Sequence, residues 1–210
     1  MLIYLLSAII FISGIAYLFA VKADSSFWKY VLKPGTMVFI ILLASTGLKE
    51  PTFYVMWVLV GLLFSVCGDI FLMLPSNKFL QGLTSFLIAH ICYIIAFTNG
   101  LQDFIIEWRI IVPLALFGIF YYSFLYPSLK KEGNLVLQIG VMMYIAVICL
   151  MFTQSYVTGS QWAVIGSFSF LVSDAILAYD QFHKQFRTAH YYVMITYYLA
   201  QYLIALSLVL

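Results

Sequence analysis

The sequence predicts an all-α protein, a polytopic bundle of eight transmembrane helices that forms one domain over residues 1–210. Of its residues, 65% are hydrophobic and only 9% are charged, whereas about a quarter of the residues of soluble domains are charged. The mean hydropathy is +1.06. The apolar residues also fall into eight separate stretches of about the length that crosses a bilayer, which is roughly 20 residues. Together these observations indicate an integral membrane protein.

The eight stretches cover residues 2–21, 34–48, 53–73, 79–98, 109–126, 134–152, 161–179 and 190–209. The first lacks a basic segment before it and is long enough to span, so we expect a retained helix rather than a cleaved signal peptide. The second is short and lies between Lys33-Pro34 and Lys49-Glu50-Pro51. Because Pro34 suits a first helical turn and Pro51 stops continuation, we expect a helix between them. A seven-helix protein with a re-entrant second stretch is the alternative.

The basic residues are distributed unevenly between the two sets of loops that eight spans create. One set carries Lys22, Lys29, Lys33, Lys78, Lys130, Lys131, Lys184 and Arg187, and the other carries only Lys49 and Arg109. Cytoplasmic loops of membrane proteins are enriched in lysine and arginine. We therefore expect a multi-pass protein of the cell (inner) membrane, with the lysine-rich loops in the cytoplasm and both termini on the opposite side.

Two acidic residues, Asp69 and Asp174, lie inside apolar stretches. Each comes about four to six residues before the cytoplasmic end of its predicted helix, which is roughly 6 to 9 Å below the boundary. A charged carboxylate costs several kcal/mol or more in such surroundings unless it is paired, so intramembrane acids are usually functional. A structural hydrogen-bond role is the alternative for each of them.

Other polar residues in the predicted helices are candidates for the same site. Lys33 opens the second helix on the cytoplasmic side, and His90 and Gln201 lie near the midplane. The residues that share faces with them at helical spacing include Tyr93, Tyr197 and Tyr198. These faces are suited to line one cavity that is charged at its mouth and aromatic below. The alternatives are a topology signal for Lys33 and interhelical hydrogen bonding or packing for the others.

A weak internal similarity relates the surroundings of the two acids. Gly68-Asp69-x-x-Leu72 with Phe79 beyond it resembles Ser173-Asp174-x-x-Leu177 with Phe182 beyond it. Helices that are four apart in an alternating bundle run in the same direction. The pattern is therefore compatible with a parallel 4+4 pseudo-repeat about an axis along the membrane normal.

Several other classes of function find little support in the sequence. No basic cluster with interleaved aromatic residues suggests nucleic-acid binding. Cys67, Cys92 and Cys149 have neither metal-site spacing nor the even number of a disulfide framework. A zinc hydrolase would need one histidine and two aspartates to converge on the metal. The sequence contains no HxxxH spacing that supports such a site. We expect neither a metal nor a cofactor, and an intramembrane aspartyl protease is disfavoured because its motifs are absent in the required order.

An ordered set of motifs resembles the YhhN family of lysoplasmalogenases. The set comprises Lys33-Pro34-Gly35-Thr36, Gly68-Asp69-x-x-Leu72-x-Leu74-Pro75, His90-x-x-Tyr93, Ser173-Asp174-x-x-Leu177-Ala178 and Tyr197-Tyr198-x-Ala200-Gln201. It runs from about residue 33 to the C-terminus. The one departure is a glycine at position 35, where the family usually has leucine, and it affects no ionisable group.

The resemblance implies a multi-pass enzyme that hydrolyses the vinyl ether bond of lysoplasmalogens to a fatty aldehyde and a glycerophospho-choline or -ethanolamine. It carries the catalytic pair over onto Asp69 and Asp174. The lysophospholipid would lie among membrane lipids, with Lys33, His90, Tyr93, Tyr197, Tyr198 and Gln201 as substrate-binding residues. The alternative from another class is a non-enzymatic transporter or lipid-binding protein that uses the acids for proton or cation coupling. The oligomeric state stays open.

Overall fold

The computed structural model describes residues 1–49, 51–74 and 78–209, and these residues form a bundle of eight α-helices. The helices are α1 (Leu2–Lys22), α2 (Ser26–Ser45), α3 (Phe53–Met73), α4 (Phe79–Phe97), α5 (Trp108–Lys131), α6 (Leu135–Val157), α7 (Gln161–Phe182) and α8 (Ala189–Leu206). A short 3-10 helix, Thr46–Lys49, follows α2. The predicted all-α class is confirmed. Glu50, Pro75 and Leu210, which belong to the predicted boundaries and motifs, lie outside the described residues.

Helix α2 is longer than the sequence pattern predicts. It begins at Ser26, so Lys33 and Pro34 lie two turns inside the helix and Lys33 does not open it. Proline removes only one intrahelical hydrogen bond, and transmembrane helices tolerate this loss where neighbouring helices compensate. With 20 residues, α2 has a length of about 30 Å, enough to cross a bilayer. The re-entrant alternative for this stretch is therefore wrong.

Three later helices also continue beyond their predicted ends. Helix α5 passes through Pro127 to Lys131, α6 ends at Val157 and α7 ends at Phe182. The predictions followed the loss of hydrophobicity, but backbone hydrogen bonding does not require apolar side chains and continues into the polar ends. At the N-termini of α6 and α7, capping side chains lie at or directly before the predicted starts. The Asn134 and Ser160 side chains accept hydrogen bonds from the amides of Leu137 and Ala163.

Helices α1 to α7 are long and apolar enough to cross a membrane, as judged by length and composition. Helix α8 has only 18 residues and includes histidine, threonine, glutamine and several tyrosines. It packs against α7 and α2, and Ala200, Gln201, Ile204 and Ala205 are fully buried there. Its polar side chains Tyr197, Tyr198 and Gln201 therefore face other helices, whereas Tyr192 is exposed. Spanning by α8 itself stays a prediction, whereas a multi-pass membrane protein with eight helices is established.

The interior of the bundle is formed by two close helix pairs, α3 with α4 and α7 with α8. Glycines permit the approach of α3 to α4. A Cβ atom at Gly68 would lie 2.7 Å from Phe86 Cε2, and one at Gly82 would lie 2.7 Å from Leu72 Cδ2. Helices α1 and α5 lie at the periphery and expose many of their apolar side chains. The acids of α3 and α7 consequently point into the interior, and the 4+4 pseudo-repeat stays a prediction.

Candidate functional site

Asp69 is held in a buried ion pair near the end of α3. Its Oδ1 lies 3.0 Å from Lys33 Nζ, and the two side chains are only 2% and 6% exposed. The Tyr197 hydroxyl of α8 donates a hydrogen bond of 2.7 Å to Oδ2. A lysine that served only as a topology signal would be solvated. Burial of Lys33 against Asp69 instead indicates that each group satisfies the other.

Asp174, two turns before the end of α7, has different partners. The Tyr144 hydroxyl of α6 donates to its Oδ2 at 2.5 Å. His90 Nε2 lies 3.7 Å from the same oxygen, which is too far for a hydrogen bond. Within the described ranges, no lysine or arginine nitrogen lies within 4 Å of this carboxyl group. The two acids are therefore chemically unequal, since only Asp69 has a cationic partner.

A single cavity of about 400 Å³ is lined by both acids. It lies between α2, α3, α4, α7 and α8, at the end of the bundle that carries the lysine-rich loops. Its lining also includes Lys33, Lys78, Ser173, Gln181, His190 and Tyr197. The structure thus brings together four of the residues predicted for the site, namely the two acids, Lys33 and Tyr197.

An apolar pocket adjoins this cavity between α4, α5, α6 and α7. The two share Asp174, and they also share Leu72, Phe79, Phe86 and Leu177. The pocket is also lined by Phe117, Tyr121, Val141, Ile145, Ile148, Cys149, Leu171 and Phe182. Asp174 therefore lies at the boundary between a polar chamber and a small apolar pocket of about 50 Å³.

The other four predicted binding residues lie behind the lining of these cavities. The Tyr93 hydroxyl donates to Gln201 Oε1 at 2.8 Å, and both side chains are fully buried. The Tyr198 hydroxyl donates to the Lys33 backbone carbonyl at 3.4 Å. His90 is also fully buried and packs edge-to-face on Tyr144 and Phe170. The two hydrogen bonds join α8 to α4 and α2, and His90 packs α4 against α6 and α7. Direct contact with a substrate stays a prediction for all four residues.

Three residues of the site, Tyr144, His190 and Lys78, are not indicated by the sequence pattern. Tyr144 is one tyrosine in an otherwise apolar stretch of α6, a position that carries no signal by itself. His190, at the edge of a solvated loop in the sequence, lines the cavity and bonds through Nε2 to the Tyr17 hydroxyl at 2.7 Å. Lys78 lines the same cavity but looked like a flanking lysine. In the described part of the chain, His, Cys, Asp and Glu form no group of three that could hold a metal ion.

Comparison with known proteins places this site in a family. The model of the YhhN family matches residues 28–208. The chain belongs to the YhhN family. The resemblance predicted from the ordered motifs is thereby confirmed. The matched region contains Lys33, Asp69 and Asp174, and it does not include α1.

Curated relatives of this YhhN protein carry lysoplasmalogenase names. The Lysoplasmalogenase homolog of Dictyostelium discoideum is 32% identical over 200 residues, which covers 87% of this chain and 64% of the relative. Lysoplasmalogenase TMEM86A of Bos taurus is 34% identical over 72% of this chain and 65% of its own length. Lysoplasmalogenase TMEM86B of Rattus norvegicus is 35% identical over a region that covers 72% of this chain and 61% of the relative. The YhhN chain thus spans a little under two thirds of the length of these relatives. No solved structure matches it significantly.

Proposed function

We propose that this protein is a lysoplasmalogenase-type hydrolase that cleaves the vinyl ether bond of lysoplasmalogens and releases a fatty aldehyde and a glycerophospho-choline or -ethanolamine. The observation that carries the proposal is the pair of buried carboxyl groups, Asp69 and Asp174, which line one cavity and have unequal partners. The names of the curated relatives support the same activity.

The polarity of the two cavities suits a single-chain lipid. The first carbons of the alkenyl chain would lie in the apolar pocket between α4 and α7, which has a volume of about 50 Å³, and the phosphate would lie toward Lys33 and Lys78. In a lysoplasmalogen the vinyl ether joins the chain to the glycerol. It would therefore lie where the two cavities meet, beside Asp174.

The first chemical step needs a proton donor in an apolar environment. Protonation of the alkene carbon remote from oxygen breaks the double bond and leaves an oxocarbenium ion. When a carboxyl group is buried without a cationic partner, burial of its neutral form costs less free energy than burial of its anion. Asp174 fits this description, and its Oδ1 makes no hydrogen bond among the described residues, so a proton there is free to be transferred. We therefore assign Asp174 as the general acid.

The following steps need an anion, which Asp69 supplies. Its charge is maintained by Lys33 and stabilises the oxocarbenium ion electrostatically, in the way that a second carboxylate does in glycosidases. Each carboxylate oxygen has two lone pairs, so Asp69 can accept a further hydrogen bond from the attacking water. Water adds to the oxocarbenium carbon and loses a proton, and the hemiacetal collapses to aldehyde and alcohol. One water is consumed, and Asp174 regains its proton by the end of the cycle.

Sidedness is part of the proposal. The cavity lies at the lysine-rich end of the bundle, which the positive-inside rule assigns to the cytoplasm. Lysophospholipid in the inner leaflet of the cell membrane would then reach the acids with its headgroup at the cytoplasmic surface and its chain among the membrane lipids. Both termini would lie on the opposite side.

The decisive assay uses purified protein in detergent with a 1-alkenyl lysophospholipid and measures released aldehyde. We expect aldehyde from this substrate and none from the saturated 1-alkyl analogue, because an alkyl ether cannot form an oxocarbenium ion by protonation at carbon. Transport needs two compartments, whereas hydrolysis does not. Aldehyde release in detergent would therefore exclude a non-enzymatic transporter. A parallel reaction with EDTA tests the metal-hydrolase alternative. Absence of aldehyde from the alkenyl lipid in a folded preparation would contradict the proposal.

A further inference from the structure

His90 on α4 is a polar residue in the interior of the bundle to which the steps above give no role. Its side chain is fully buried. Neither Nδ1 nor Nε2 has a hydrogen-bond partner among the residues that the structure describes. A buried polar group without a partner costs free energy and is rare in folded proteins. Two such atoms on one ring indicate a partner that the ring acquires only in another state of the protein.

The imidazole ring is directed at the carboxyl group of Asp174. Its Nε2 lies 3.7 Å from Asp174 Oδ2, about half an ångström beyond the usual limit of a hydrogen bond. The same oxygen accepts the hydrogen bond from Tyr144. Edge-to-face contacts hold the ring in place, with centroids 5.2 Å from Tyr144 and 4.5 Å from Phe170. His90 lines neither the polar cavity nor the apolar pocket, so it faces the acid rather than a bound lipid.

Proton transfer changes what the carboxyl group of Asp174 requires. While Asp174 is protonated, it is neutral and has one hydrogen bond, from Tyr144. When the proton leaves Oδ1, a carboxylate remains where no lysine or arginine nitrogen of the described residues lies within 4 Å. Hydrogen-bond donors stabilise such an anion. Because Oδ2 has two lone pairs, it can accept from Tyr144 and from a second donor together.

The imidazole of His90 is suited to be the second donor. Burial of a neutral imidazole costs less free energy than burial of its cation, and the neutral ring carries one N–H. The Phe86 carbonyl, one turn earlier on α4, lies near the ring but completes no hydrogen bond with it. The ring proton is therefore free to lie on Nε2, which is the nitrogen that faces Asp174.

We propose that His90 is a positioning residue for the general acid, and that its Nε2–H donates a hydrogen bond to Asp174 Oδ2 once Asp174 gives up its proton. The inference rests on the proposed function, because it needs Asp174 as the proton donor. In this step the Oδ1–H bond breaks and the alkene π pair forms the new C–H bond, while His90 keeps its proton. A hydrogen bond that forms only as the proton leaves lowers the barrier without strengthening substrate binding.

Variants at position 90 separate this role from packing. His90→Leu removes the donor and keeps a similar volume. His90→Gln keeps an N–H near the position of Nε2, whereas the shorter side chain of His90→Asn places its amide near the position of Nδ1. Steady-state kinetics of aldehyde release from a 1-alkenyl lysophospholipid, measured on the full-length protein in detergent, compare these variants with the wild type.

We expect His90→Leu and His90→Asn to lower kcat about 10- to 100-fold, as for loss of one hydrogen bond to a charged group. KM should stay within about twofold of wild type, because the bond is absent from the ground state. His90→Gln should retain kcat within about threefold, because its amide replaces the donor. Since His90→Asn and His90→Gln both carry a buried amide, their difference depends on where the N–H lies.

Asp174→Asn provides the background that tests the coupling. His90→Leu should change the residual kcat of Asp174→Asn by less than about twofold, since no carboxylate forms there. His90→Leu should also unfold no more readily than wild type, because it removes an unpaired polar group. Wild-type kcat in His90→Leu, retention of kcat by His90→Asn instead of His90→Gln, or the same fold loss in both backgrounds would overturn the inference. Absence of aldehyde from the wild type would instead contradict the proposed function.

Discussion

Asp174→Asn is expected to lower kcat for aldehyde release about 10²- to 10⁴-fold, the range for loss of a positioned general acid. The amide has nearly the same shape as the acid, and its oxygen still accepts a hydrogen bond from Tyr144. It cannot transfer a proton to carbon. Asp69→Asn is expected to have a comparable effect for a different reason, because it removes the anion that stabilises the oxocarbenium ion. Steady-state kinetics with an alkenyl lysophospholipid measure both losses.

The matched control for these variants is Asp180→Asn on the same helix as Asp174. Asp180 accepts a hydrogen bond from the Phe186 amide at 2.9 Å, which asparagine also accepts, and it lines neither cavity of the site. We expect nearly unchanged kcat in this control. All three variants should insert and elute as monodisperse species. Wild-type activity in Asp174→Asn or Asp69→Asn would remove that residue from the mechanism.

Lys33→Met is expected to have the largest effect on stability. It leaves the Asp69 carboxylate buried without a cation, and breaking a buried pair in this way costs roughly 3 to 5 kcal/mol. Adding Asp69→Asn removes the stranded charge, so the double variant should recover most of the lost stability while staying inactive. Unfolding in a fixed detergent measures the three free energies.

A surface lysine provides the comparison for Lys33→Met. Lys130 is exposed at the end of α5 on the same side of the bundle, and Lys130→Met should change stability by less than about 0.5 kcal/mol. If the destabilisation by Lys33→Met and Asp69→Asn were additive in the double variant, the two residues would not be coupled. That result would contradict the buried ion pair.

Much of the site was predictable because intramembrane polarity is rare. Asp69 and Asp174 were identified as isolated acids in apolar stretches, and the helix directions placed them at one end of the bundle. The structure puts both on one cavity. Lys33 was identified as a site residue, but its predicted position at the start of α2 was wrong. A lysine followed by proline is typical of a helix start, and only the packing of α2 against its neighbours reveals that the helix begins at Ser26.

The sequence pattern does not predict contacts between helices that lie far apart in the sequence. Tyr144 is 30 positions from Asp174, and nothing in the sequence of α6 indicates which of its faces turns toward α7. Tyr197 and Tyr198 illustrate the same limit. Consecutive helical residues point in different directions, and in this bundle the first bonds Asp69 whereas the second bonds the Lys33 carbonyl. Spacing alone assigned the same role to both.

The proposed mechanism requires one acid to be protonated and the other to be ionised in a shared cavity. Infrared difference spectroscopy of the purified protein at neutral pH measures this directly, through the carbonyl stretching band of a protonated carboxylic acid. Subtraction of the Asp174→Asn spectrum from that of the wild type should reveal this band, and subtraction of the Asp69→Asn spectrum should reveal carboxylate bands instead. Assignment of the protonated-acid band to Asp69, or carboxylate bands for both residues, would contradict the division of roles.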